Sequence, residues 1–165
     1  SDWKSLVKLI VKHVSTNPIS FTTCWVFLLL LKEIQVMNQP FIIPTITTDK
    51  NGISIFENTD FSVQQRGGLF LTEQIGAQNF RLRKSDVGYA TDFHLAGDAT
   101  FIIIQKGNLK IELQNGDFKI FKPGDCFIAQ DNLQENIEFD KTIHGHKANV
   151  IGNESLQAIH IKLSI

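Results

Sequence analysis

From Pro40 onward the chain is broken every few residues by Gly, Asn or Asp, and the apolar-rich stretches between breaks are too short for helices. GISIFEN, GGLFLTEQI, AQNFRLRK, ATFIIIQKG, NLKIELQNG, DFKIFKPGD, CFIAQD, HGHKANVIGN and LQAIHIKLSI have the length and spacing of antiparallel strands. Many short strands with no helices between them predict an all-β sandwich or barrel. Within NLKIELQNGDFKIF, Leu109, Ile111 and Leu113 alternate with Lys110, Glu112 and Gln114, so one face is apolar. Asn115-Gly116 then predicts a tight hairpin turn with positive φ at both residues. Pro123-Gly124-Asp125 predicts the next turn, with Pro fixing φ and Gly accepting what other residues resist.

The first 36 residues have a different character. Trp3, Leu6, Val7, Ile10, Val11 and Val14 fall at helical spacing, and a second apolar stretch runs from Ile19 to Leu31 after Pro18. That stretch ends at Lys32 and Glu33, well short of the roughly 20 apolar residues of a membrane span. Nor does it have the small-residue cleavage site of a signal peptide. The lone methionine is Met37. Two readings of residues 1–36 follow: a helical extension that covers a barrel face or a dimer edge, or a non-native stretch upstream of a start at Met37. Residues 37–165 form the predicted barrel domain.

Charge narrows the function classes. The 165 residues carry 16 Lys plus Arg against 17 Asp plus Glu, and no basic run stands out, so the phosphate-neutralising surface of a nucleic-acid binder is missing. Cys24 and Cys126 lie far apart with no CxxC spacing, which argues against a disulfide framework or zinc knuckle and favours a cytoplasmic protein. Thirteen Phe against one Tyr places the aromatic content on the apolar side. Phe101 to Ile104 is apolar on both strand faces, more than one barrel interior requires, which predicts a homodimer.

Gly88, His94, Thr100 and Gly107 occur at the spacing of a known motif, and NGDFKIFKPGD has the form of the segment that follows it. On these residues the chain from about 40 to 165 resembles the small single-domain bacterial cupins. The resemblance implies a double-stranded β-helix, the jelly-roll cupin barrel, here with an N-terminal helical extension. It also implies a site inside the barrel at His94. Much of the family's ligand set is missing: Ala96 stands at the second histidine position and Thr100 at the glutamate position. His146, in IHGHKA, takes the second-motif histidine position after a long loop, with Glu135 as the rival register.

The candidate site follows. His94 is the expected catalytic residue, an imidazole beside Asp92 or Asp98. His94, His146 and His144 are the candidate metal ligands; His144 and His146 share a face if IHGHKANVI is one strand, and His160 shares a face with Ala158. Arg81 and Arg83 alternate with Leu82 and, if inward, fork a carboxylate; Asp92 and Thr100 complete the candidate ligand-binding set. Two functions are consistent with this set. One is a binding cupin holding a small molecule around His94. The other is an oxygenase, isomerase or lyase on a small acid or sugar, with one divalent Fe, Mn, Ni or Zn on a reduced ligand set.

Overall fold

A computed structural model describes residues 39–164, so both readings of residues 1–36 lie outside the described residues. Among the described residues the chain is all-β: β1 (Phe41–Thr48), β2 (Ser54–Phe61), β3 (Val63–Arg66), β4 (Leu69–Thr72), β5 (Ala77–Ser85), β6 (Thr100–Lys106), β7 (Asn108–Leu113), β8 (Phe118–Phe121), β9 (Cys126–Ala129), β10 (His146–Ile151) and β11 (Leu156–Leu163). No helix occurs there, and so none long and apolar enough to cross a membrane. Val63–Leu71, which carries β3 and most of β4, belongs to one compact unit; Pro40–Ser62 and Thr72–Ile165 form the other.

The larger unit holds a six-stranded sheet in the order β2-β1-β9-β6-β11-β5 and a three-stranded sheet in the order β10-β7-β8. Alternation builds its core. Along β7 the residues are alternately half-buried and buried, so Leu109, Ile111 and Leu113 face inward; β10 does the same with His146, Ala148 and Val150. The apolar residues of both strands meet Ile46, Ile102, Ile104, Phe127 and Ala158 of the larger sheet in one cluster. Burying residues of this size contributes on the order of 1.5–3 kcal/mol each.

Three details depart from the sequence expectations. β1 was not among the predicted segments because Pro44 lies in it; the strand pairs antiparallel with β2 and parallel with β9, so the larger sheet is mixed. β3 was not predicted either. In the β7–β8 turn only Gly116 takes a positive φ, +88°, and no non-glycine residue does. The turn is a longer loop closed by Leu113 N–H to the Asp117 carbonyl. Asn115 serves it through its side chain, whose Oδ1 accepts the Asp117 N–H at 2.9 Å.

Candidate functional site

The site begins at a backbone contact. Gly145 has φ +85°, and a Cβ there would lie 2.4 Å from the His94 carbonyl oxygen, so only glycine fits. That close approach lets His94 and His146 exchange backbone hydrogen bonds, each N–H donating to the other's carbonyl at 2.9 Å. The two rings come to lie with centroids 4.6 Å apart, tilted by 49°.

Each ring is fixed through Nδ1. The His146 Nδ1 donates to Asp131 Oδ2 at 2.8 Å, and Asp131 is fully buried. The same carboxylate accepts from Ser54 Oγ at 2.8 Å and from the Ala96 N–H at 3.1 Å. With Ser54 and the Ala96 N–H already donating to it, this carboxylate is an acceptor, which places a proton on His146 Nδ1. His94 Nδ1 lies 2.9 Å from the Asp92 carbonyl oxygen, also an acceptor, so it too carries the proton. A neutral imidazole that donates through Nδ1 keeps its lone pair at Nε2.

The rings line a cavity of about 150 Å³. Arg83, Thr91, Thr100 and His160 supply its other polar groups, and Ile102, Leu109, Ile111 and Phe127 its apolar wall. Arg83 donates from Nε to Ser85 Oγ at 2.9 Å, and its guanidinium lies 5.4 Å from the centre of the Tyr89 ring. Burial, helped by the charge of Arg83, pushes His160 down to about 4, and its Nε2 is sealed from solvent without a partner.

The structure brings His94, His146, Arg83 and Thr100 together at this cavity, but not the rest of the predicted set. His144 is outside it. Gly145 turns the chain, so the strand begins at His146 and the two histidines do not share a strand face; the His144 Nδ1 instead accepts the Asp140 N–H at 3.0 Å. Arg81 pairs with His160 in register but is exposed and does not line the cavity. Asp92 contributes only its carbonyl. Asp98 is held at the surface by Lys162 at 2.6 Å, and that lysine keeps its carboxyl below the usual range. Glu135 lies exposed in the loop, which leaves His146 in the site.

Asp131, Ser54 and Thr91 were missed. Asp131 had one signal: a charged residue two positions after the apolar strand CFIA, where burial demands partners. The donor set falls short of a metal centre. Catalytic sites use about three protein ligands, and although His94, His146 and His160 all line the cavity, the three are not grouped to hold one ion. Ala96 and Thr100 line the cavity without offering an imidazole or carboxylate, and among the described residues no group of three or more His, Cys, Asp or Glu is placed to hold an ion. A wider hollow of about 490 Å³ beside Lys119, Asp125 and Cys126 is open to solvent, and burial pushes the Cys126 thiol up, away from a reactive thiolate.

No family model matches the chain, and no curated protein matches it. Among solved structures it is similar to a cupin domain protein from Bordetella pertussis Tohama I, at 12% identity and TM-score 0.37, covering 78% of this chain and 99% of that one. A cupin-2 domain protein from Shewanella frigidimarina NCIMB 400 is similar at 14% identity and TM-score 0.37, over 91% of this chain and 98% of that one. The Cnp3 cupin domain of Schizosaccharomyces pombe is similar at 12% identity and TM-score 0.37, over 75% of this chain and 88% of that one.

Proposed function

We propose that this chain is a cupin-type barrel that binds a small molecule in the cavity between Arg83 and the His94–His146 pair. The carrying observation is that two imidazoles, each anchored through Nδ1, line one partly open cavity with an apolar wall. Small-molecule sites combine these elements: mostly apolar surface and a few placed polar groups. The motif frame from Gly88 through His94 to Gly107 supports the cupin reading at the level of residues.

Size bounds the ligand. The cavity, at about 150 Å³, lies below the roughly 300–1,000 Å³ of pockets for drug-sized molecules, which points to a metabolite of few heavy atoms. On this reading His94 and His146 hold the ligand through hydrogen bonds. The metal-dependent oxygenase, isomerase or lyase lacks its third protein ligand among the described residues.

A ligand-observed NMR screen of small acids, alcohols and amides tests the proposal. Ala148 lines the cavity from β10, so Ala148→Leu fills it. Binding signals seen with the wild type should vanish in the variant. Signals that survive unchanged would place binding elsewhere and overturn the reading.

A further inference from the structure

Arg83 is the one permanently charged side chain among those lining the cavity, and no carboxylate lines it. Asp131 has its oxygens turned to Ser54, Ala96 and His146. Arg83 forms no ion pair with a described residue; its Nε is used by Ser85, and its terminal nitrogens keep the fork that matches a carboxylate. His160, the neighbour that would compete as a second cation, is neutral near pH 7 because burial and Arg83 hold it down at about 4. A guanidinium with no ion-pair partner among the described residues, in a half-apolar cavity that no carboxylate lines, favours an anion.

The imidazole pair selects a donor. With Nδ1–H spent on the Asp92 carbonyl and on Asp131, the neutral rings offer lone pairs at Nε2, which a ligand carboxylate oxygen cannot satisfy and a hydroxyl can. Between these groups the wall is Ile102, Leu109, Ile111 and Phe127, which suits a short hydrocarbon link.

We propose that the ligand is a short hydroxy acid, with its carboxylate forked by Arg83 and its hydroxyl donating to Nε2 of His94 or His146. The proposal rests on the reading of this cavity as the binding site and names the chemistry that the site recognises. The acid end and the hydroxyl end are recognised by different residues, so they are separable by experiment.

The test is calorimetric titration of the full chain with lactate and 3-hydroxybutyrate, with 3-hydroxybutyramide, which lacks the charge, and with butyrate, which lacks the hydroxyl. A hydroxy acid should bind, and amide and butyrate should each be weaker by about tenfold or more, the worth of one charge-assisted or buried hydrogen bond. Arg83→Gln should abolish the preference for the acid over the amide, and an unfolding midpoint close to that of the wild type shows that the variant is folded. Arg83→Lys should fall between. Equal affinity for acid and amide in the wild type, an acid preference that survives Arg83→Gln, or no acid binding at all overturns the proposal. Neutral probes that bind and are lost in Ala148→Leu would leave the cavity reading standing alone; no binding by any probe would remove both.

Discussion

His146 and Asp131 are joined by a 2.8 Å hydrogen bond between two side chains buried to within a few per cent of complete, the histidine 4% exposed and the aspartate 0%. The pair links the two sheets' ends at the site: Asp131 follows β9 and His146 begins β10. Through the same carboxylate, Ser54 of β2 and the backbone of Ala96 are tied to a ring that lines the cavity.

Removing that carboxylate should be costly. Asp131→Ala leaves the Ser54 hydroxyl, the His146 ring N–H and the Ala96 N–H without their acceptor, and we expect a loss of about 3–5 kcal/mol in urea unfolding. Ser54→Ala removes one donor and keeps the acceptor, and should cost on the order of 1 kcal/mol. A loss below ~1 kcal/mol for Asp131→Ala would show that the network is not holding the site.

Two glycines with positive φ should respond differently to alanine. Gly116→Ala meets nothing within 4 Å and should cost only the left-handed backbone penalty, about 1–2 kcal/mol. Gly145→Ala places Cβ 2.4 Å from the His94 carbonyl oxygen, so the backbone bridge between His94 and His146 must open. We expect at least ~3 kcal/mol for Gly145→Ala in the same unfolding assay, with large shifts of the His94 and His146 amides. Equal effects at the two positions would contradict the close approach.

His160 gives the stability a pH dependence. Its folded value, about 4, is below the ordinary 6.5, so the folded state resists a proton that the unfolded chain accepts. Its contribution is therefore complete above pH 6.5 and declines as the pH falls from 6.5 towards 4. Arg83 acts from the same side, and His94 and His146 line the same cavity, so the comparison must be with His160→Gln. The wild type should lose more stability than the variant between pH 6.5 and 4.5. Parallel curves would rule the buried neutral imidazole out.

The outer face of the larger sheet carries the proposed homodimer. β5 exposes Phe80 at 68% and Leu82 at 74%. In register beside them stand Ile161 and Ile159 of β11, then Phe101 and Ile103 of β6. Such an apolar row suits a second copy. Sedimentation should give a dimer mass for the wild type and a monomer mass for Leu82→Glu. A monomer mass for the wild type across micromolar concentrations would end this proposal.

The parts of the fold written as local pattern were legible. Alternation in NLKIEL and the turn residues around Gly116 and Gly124 placed β7, β8 and β9, because strand period and turn chemistry are properties of neighbouring residues. β1 was hidden by Pro44, since a proline normally argues against an internal strand. At the cavity, the family resemblance pointed to His94 and His146, and alternation with Leu82 put Arg81 and Arg83 on one face, of which only Arg83 lines it. Asp131 was not, because its partners Ser54 and His146 lie 77 and 15 residues away and only the closed sheets bring them together. His144 misled for the converse reason: one glycine at φ +85° breaks the strand periodicity that its spacing suggested.

Long-range proton–nitrogen NMR of the histidine rings tests the central claim, that His94 and His146 present two bare Nε2 lone pairs to one cavity. The account predicts that both neutral rings are Nδ1–H tautomers, and that a bound hydroxyl-bearing ligand shifts at least one Nε2 resonance while leaving His144 in place. An Nε2–H tautomer at either His94 or His146 would contradict it, because that ring would then have no lone pair to offer the ligand.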